Sequence, residues 1–287
     1  MSYDPGIPLL EHIARESPNL RRSERRVASI VAENPALMVE STMAAVAQAA
    51  GVSEPTVMRF CTSLGFDGFQ QFKLALAQTL ALGLPATLST ISRSDSISEL
   101  ATKVFDHTIS SLDRTRRYLD ADALGAAIEA ILGSSSMTVA GLGASGMIAL
   151  DVEQKAVLFG VPCSVPSDTH QQFMAATMAA PGQVFLVISN TGSTDSVVQV
   201  ARAARAAGAT VIALTGDETS QLAQEAHVSL AVKTFEDTDR HTPTVSRIAG
   251  LVIVDVLATA VSLRRGEEHG QRLTDMKEQL ATFRRTT

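Results

Sequence analysis

Tryptophan is absent from this sequence, and aromatic residues make up only 4% of it. A core must therefore be built from Ala, Val, Leu, Ile and Met. There are two cysteines, Cys61 and Cys163, far apart and without a CxxC spacing or a histidine partner. That excludes a disulfide framework and gives no support to a zinc site, or to any other metal site. A reducing cytoplasm is the simplest compartment for such a chain. Between Met1 and Pro18 no cationic stretch leads into an apolar run, so a signal peptide is not expected. The longest apolar run, Ile248–Leu263, is interrupted by Asp255 and is short for a membrane span. A buried helix is expected there, and no membrane partner. Basic residues are outnumbered, and the formal net charge of −6 argues against sequence-independent coating of nucleic acid, although a local basic surface remains open.

What is present is a chain of 287 residues, 45% hydrophobic and 19% charged, long enough to bury a sizeable core in one or two domains. Residues 1–82 read as consecutive short helices. Residues 83–96, which include Gly83, Pro85 and a run of Ser and Thr, read as a linker. Residues 97–287 open with two helical patterns and then alternate strand with helix. Strands are predicted at Met137–Leu142, Cys163–Pro166, Val184–Ser189, Thr210–Thr215 and Val228–Val232. Helices are predicted at Ser145–Phe159, Thr169–Ala179, Asp195–Ala207, Ser220–Ala226, Thr244–Leu263 and Gln271–Phe283. The pattern implies an α/β, doubly wound parallel-sheet domain behind an all-α N-terminal domain.

The helical part carries a two-helix motif. Thr42 can cap one helix, Gly51 supplies a turn, and Ser53 can cap a second helix whose first turn holds Glu54 and Pro55. Val57, Phe60, Cys61 and Leu64 share one face of that second helix. Glu54, Met58, Arg59, Thr62 and Ser63 fall opposite. This fits a helix-turn-helix whose second helix enters the DNA major groove. Ser53, Thr56 and Arg59 are then expected nearest the bases and phosphates. Arg22 and Arg26, with Arg21 and Arg25, are expected to contact phosphates. A helical bundle with solvated arginines accounts for the same pattern.

In the second part, Ser189-Asn190-Thr191-Gly192-Ser193-Thr194 follows a β-rich run and precedes a helix. Backbone N–H groups at a helix N-terminus hold anions, and hydroxyls add donors. The segment has no Lys or Arg and no Gly-Lys-Ser/Thr, so it is not a nucleoside-triphosphate P-loop and suits a small phosphorylated metabolite. A second turn, Gly141-Leu142-Gly143-Ala144-Ser145-Gly146, is a literal GxGxxG. A dinucleotide would need an acidic residue after the next strand, and Asp168 is separated from it by Pro166. The preferred reading joins the two turns around one phosphosugar, through Gly143, Ser145, Ser189, Asn190, Thr191, Gly192, Ser193 and Thr194. For each hydroxyl taken singly, an ordinary helix cap competes.

The runs Ser53-x-x-Thr56-x-x-Arg59-Phe60-Cys61 and Leu64-Gly65-Phe66-x-Gly68-Phe69-x-x-Phe72-Lys73 resemble the N-terminal domain of the RpiR family of bacterial transcriptional regulators. The resemblance implies a winged-type helix-turn-helix. The two hydroxyl-bearing turns resemble the SIS (sugar isomerase) domain that forms the C-terminal half of that family. Thr191 stands where the family pattern has a second serine. A narrower match from Glu236 through Arg247 to Gly266 looks like the HexR branch. That implies a regulator, a repressor, of sugar catabolism genes that answers 2-keto-3-deoxy-6-phosphogluconate. It also implies operator DNA and a second copy of the chain, as a homodimer or a dimer of dimers, as partners, and no cofactor.

Arg247 can meet a sugar-acid carboxylate or make a structural link to Asp237 or Asp239; the structural link is preferred. The competing class is an SIS-domain sugar-phosphate isomerase or lyase. That chemistry needs a general base, for which Glu153, His170, Glu236 and His241 are the candidates, though none forms a recognisable catalytic set.

Overall fold

The computed structural model describes residues 9–81, 95–236 and 244–286. The predicted linker therefore falls almost wholly outside the described residues, as do Asp237, Asp239 and His241. Packing divides the chain into two compact units, Met1–Asp113 and Arg114–Thr287.

The first unit contains α1 (Leu9–Glu16), α2 (Arg22–Glu33), α3 (Pro35–Glu40), α4 (Met43–Ala50), α5 (Glu54–Ser63) and α6 (Phe69–Ala81), and most of α7 (Ile97–Tyr118), which crosses the division. The expected helix-turn-helix is α4 and α5. Thr42 caps α4 by accepting a bond from the Ala45 N–H at 3.2 Å, and Gly51 turns the chain at φ +62°. Val57, Phe60, Cys61 and Leu64 are buried, as their spacing requires. With no tryptophan, the aromatic centre is three phenylalanines. Phe60 and Phe66 meet Phe72 edge to face at 5.4 and 5.5 Å. His12, buried on α1, is within hydrogen-bonding distance of the Leu64 carbonyl at 3.0 Å and so ties α1 to the end of α5.

The wing implied by the family resemblance is not seen. Among the described residues this unit has no strand. Gly65, at φ +88°, turns the chain after α5, and α6 follows within a few residues.

The second unit runs α8 (Ala121–Leu132), β1 (Ser136–Gly141), α9 (Ala144–Gln154), α10 (Ala156–Phe159), β2 (Cys163–Ser164), α11 (Thr169–Thr177), β3 (Gln183–Ile188), α12 (Asp195–Ala206), β4 (Thr210–Thr215), α13 (Gln221–Glu225), β5 (Val228–Ala231), α14 (Val245–Arg264) and α15 (Glu267–Thr286). The five strands form one parallel sheet in the order β2-β1-β3-β4-β5. The last five residues of β3 and of β4 are buried without alternation. A parallel sheet covered on both faces demands that. α11, α12 and α13 pack together, and α8, α9, α10 and α14 pack together.

α14 is long and apolar enough to cross a membrane by composition alone. Half of its most apolar stretch is nevertheless buried inside this unit, through Ala249, Ile253, Val254, Leu257 and Val261. That spacing is one helical face, and α14 is a core helix. The single helix expected at Ser145–Phe159 is broken at Lys155. Its N–H is shared between the Asp151 and Val152 carbonyls at 3.1 Å each, tightening the turn. The Lys155 ammonium pairs with Asp151 and, at 2.8 Å, with Asp255 on α14.

Candidate functional sites

The strand order places the two hydroxyl-bearing turns side by side. From β1 the chain winds outward to β2, then returns to β3 on the other side of β1. The turns after β1 and β3 therefore flank the point where the winding reverses, at the carboxyl ends of adjacent strands. Ligands of open parallel sheets bind in that crevice. Here a cleft of ≈ 200 Å³ opens at that point, lined by Ser145, Ser189, Asn190, Thr191 and Thr194, by Ser246, Arg247 and Gly250 of α14, and by an apolar floor including Ile148, Ile188 and Leu214. That volume is more than ten times the roughly 10–15 Å³ a single water needs.

The Ser189–Thr194 turn is braced from several sides. The Ser189 N–H donates to the Leu214 carbonyl at 3.1 Å, and the Gly216 N–H to the Asn190 carbonyl at 2.9 Å. The Gly192 N–H donates to the Ser189 carbonyl at 3.1 Å and lies 3.2 Å from Ser189 Oγ. Thr194 occupies the N-cap position of α12, yet its side chain makes no cap bond. Its hydroxyl lies 3.4 Å from that of Ser189, and both border the cleft. The competing reading of Thr194 as an ordinary cap does not describe where its hydroxyl goes. Gly192 is buried in the turn itself, while Ser193 is exposed. Neither lines the cleft.

In the β1 turn Gly141 answers to packing and Gly143 to its backbone conformation. A Cβ on Gly141 would lie 2.9 Å from the Ser145 carbonyl oxygen, so the start of α9 sits directly on the strand end. Gly143 holds φ +57° at the N-cap of α9, is exposed, and leaves Ser145 facing the cleft. Asp168, the acid a dinucleotide would need, instead caps α11. It accepts bonds from the His170 and Gln171 N–H groups at 2.9 and 3.0 Å.

Of the candidate bases, Glu153 and the nearly fully exposed His170 stand outside the cleft lining. Glu236 is committed to the N-terminus of α14. It accepts bonds from the Thr244 N–H and hydroxyl, the Val245 N–H at 3.1 Å, and the Ser246 N–H and hydroxyl. Burial alone would raise its pKa; the bonds from Ser246, Thr244 and Val245 outweigh that and hold it below the ordinary carboxylate range. A depressed, fully bonded carboxylate is a poor proton acceptor. Arg247, one residue beyond Ser246, lines the cleft and donates to the Met147 thioether sulfur at 3.8 Å.

On α5, Arg59 is exposed and Thr56 is buried. Thr56 therefore does not stand at the surface beside the bases. Its hydroxyl accepts a bond from Arg59 Nη2 at 3.0 Å and lies 3.1 Å from Ser53 Oγ. Ser53 holds the N-cap position of α5 but turns its hydroxyl to Thr56 rather than to a backbone N–H. The three residues form one chain, Ser53–Thr56–Arg59, with the guanidinium at its exposed end. Arg22 and Arg26 are exposed on α2, which packs against both α4 and α5.

Comparison with known proteins covers both units. Residues 7–83 match the helix-turn-helix domain of the rpiR family, and residues 130–260 match the SIS domain. The chain is 40% identical over 276 residues to the HTH-type transcriptional regulator HexR of Pseudomonas aeruginosa, covering 96% of each chain. It is 39% identical to HexR of Escherichia coli, covering 96% of this chain and 95% of that one. Among solved structures, NanR of Vibrio vulnificus, complexed with ManNAc-6P, is similar over 96% of this chain and 98% of its own, with a TM-score of 0.59 at 23% identity. That level of identity speaks to the fold. With both halves matched, and with relatives near 40% identity over almost the whole length, the chain belongs to the RpiR family of helix-turn-helix transcriptional regulators that carry an SIS domain.

Proposed function

We propose that this protein is a one-component repressor of sugar catabolism genes whose SIS domain receives a phosphosugar, 2-keto-3-deoxy-6-phosphogluconate in the first instance. Residues 1–82 read the operator, residues 83–96 link, and residues 97–287 sense. The observation that carries the reading is the convergence of Ser145, Ser189, Thr191 and Thr194 on one cleft at the winding reversal of the sheet. In this reading the phosphate is held by those hydroxyls and by the N-terminal ends of α9 and α12, where backbone N–H groups carry partial positive charge. Gly143, Asn190, Gly192 and Ser193 shape the two turns. Arg59, oriented by Thr56 and Ser53, reads the major groove, and Arg22 and Arg26 hold phosphates.

Operator half-sites lie about 34–36 Å apart on one face of DNA, so the protein acts as a homodimer or a dimer of dimers, and a modest change between copies breaks simultaneous docking. The effector shifts that equilibrium only by its difference in affinity for the two states, typically about 1–3 kcal/mol. The commitment of Glu236 to α14 favours reception over isomerisation or cleavage of the sugar.

The test is titration of the protein onto its own upstream DNA, followed by fluorescence anisotropy at several salt concentrations, with and without phosphosugars. Specific binding that the phosphosugar weakens is expected. Ser145→Ala and Ser189→Ala should blunt that response. Absence of specific binding at every salt concentration, or an undiminished response in both variants, overturns the reading. Consumption of phosphosugar without DNA would favour the enzyme class instead.

A further inference from the structure

We propose that Arg247 is the carboxylate receptor of the SIS cleft, so that the site selects phosphorylated sugar acids over neutral sugar phosphates. This rests on the phosphosugar reading above and adds a second anchor to it.

The argument begins with how α14 reaches the cleft. A Cβ on Gly250 would lie 2.7 Å from Ile148 Cδ1, so α14 packs its glycine face against the Ile148 side chain of α9. That approach brings Arg247 beside the start of α9, two residues beyond Ser145, where it touches Met147. Among the described residues that line the cleft, Arg247 is the one cation, and none is acidic. Its neighbour Ser246 is already bound by Glu236 through both its N–H and its hydroxyl. The Glu236 carboxylate is occupied by the first turn of α14 and makes no bond to Arg247 among the described residues.

A thioether is a weak acceptor, and a guanidinium has five donors. The contact with Met147 therefore orients Arg247 without using up its donors. The two walls of the cleft differ in chemistry. Hydroxyls and helix N-termini on the strand side suit the three oxygens of a phosphate. A planar fork on the α14 side matches a carboxylate in bidentate fashion. A ligand with an anion at each end uses both walls; a neutral aldose or ketose phosphate uses one.

The experiment compares 6-phosphogluconate with glucose 6-phosphate, which share carbon number and phosphate position but differ at carbon 1. Binding to the full-length protein is measured by calorimetry for the wild type, Arg247→Gln and Arg247→Lys. Wild type should prefer the acid. Arg247→Gln should weaken the acid about 10- to 100-fold while changing glucose 6-phosphate less than about threefold, as expected for one bidentate charged contact. Arg247→Lys should recover part of the preference, since charge remains but the fork is lost. Unchanged preference in Arg247→Gln overturns the proposal. Equal loss of both ligands also overturns it, because Arg247 would then grip the phosphate. A wild type that binds both ligands equally removes the role of Arg247 but leaves the phosphosugar reading standing. A wild type that binds neither overturns the carboxylate role of Arg247, while the phosphosugar reading is decided by the operator titration.

Discussion

Replacing Gly192 with alanine tests the effector turn at its tightest point. Gly192 sits at φ +63°, in the left-handed region, where an alanine costs about 1–2 kcal/mol. A Cβ there would also lie 2.1 Å from Ser220 Oγ, 2.4 Å from Ser220 Cβ and 2.8 Å from Thr215 Oγ1. Those atoms cannot yield freely. Ser220 donates to the Asp217 carbonyl at 2.6 Å and caps α13, and Thr215 is fully buried at the end of β4. Overpacking of this kind costs about 1–3 kcal/mol more. The sum is about 2–5 kcal/mol. For a unit of 150–250 residues each kcal/mol moves the melting temperature by about 2–4 °C, so a fall of roughly 4–20 °C is expected. Gly143→Ala is the internal control. It too has positive φ, at +57° with ψ at −123°, but nothing lies within 4 Å of its Cβ, so its cost is one of backbone conformation without overpacking. Differential scanning calorimetry of both variants decides the matter, with phosphosugar response read alongside. The response should fall in Gly192→Ala, because the hydroxyls of Ser189 and Thr194 hang on that turn. A Gly192→Ala protein that melts within 1 °C of wild type refutes the reasoning.

Three further outcomes are expected. Thr56→Val removes the hydroxyl that holds Arg59 and should weaken operator binding by about 0.5–1.5 kcal/mol, roughly 2- to 13-fold by fluorescence anisotropy; Arg59→Ala should cost more. Glu236→Gln should lower stability by about 1 kcal/mol at pH 7, the worth of a helix cap. Because the folded pKa of Glu236 is depressed, that stability is fully present above the unfolded value of about 4.3. It is lost as pH falls through the folded value, so urea titrations of variant and wild type should converge in acid. Burial pushes the Cys61 thiol up to about 12, and burial together with the Glu153 charge pushes Cys163 up to about 11. Neither thiol should react with a disulfide reagent at pH 8 in the folded protein, and both should react in denaturant.

The fold was legible wherever burial imposes a period. β4 coincides with the predicted Thr210–Thr215, because the middle of a central parallel strand is continuously apolar and Gly208 and Gly216 bracket it. The sequence predicts β2 as far as Pro166, whereas the strand ends at Ser164. As an edge strand it pairs only Met137–Cys163 and Thr138–Ser164, and little apolar signal marks its end. α15 begins four residues before the predicted start at Gln271, since Glu267–Gly270 carries no apolar residue to announce a helix. The break at Lys155 was invisible because both sides of it keep a helical pattern, and what differs is one shared backbone hydrogen bond.

The candidate site was legible at the level of residue type and place, less so at the level of what each hydroxyl does. Spacing puts Ser53, Thr56 and Thr194 at helix starts, where a hydroxyl is drawn to backbone N–H groups. Periodicity cannot tell whether it goes there. At α4 it does: Thr42 bonds Ala45. At α5 it does not: the hydroxyl of the N-cap Ser53 pairs with that of Thr56, which in turn accepts a charge-assisted bond from Arg59. At α12 the Thr194 hydroxyl turns toward Ser189, across the mouth of the cleft. At both α5 and α12 the hydroxyl at the helix start faces another side chain instead of the backbone, and these are the helices that the proposed function brings to DNA and to the phosphosugar.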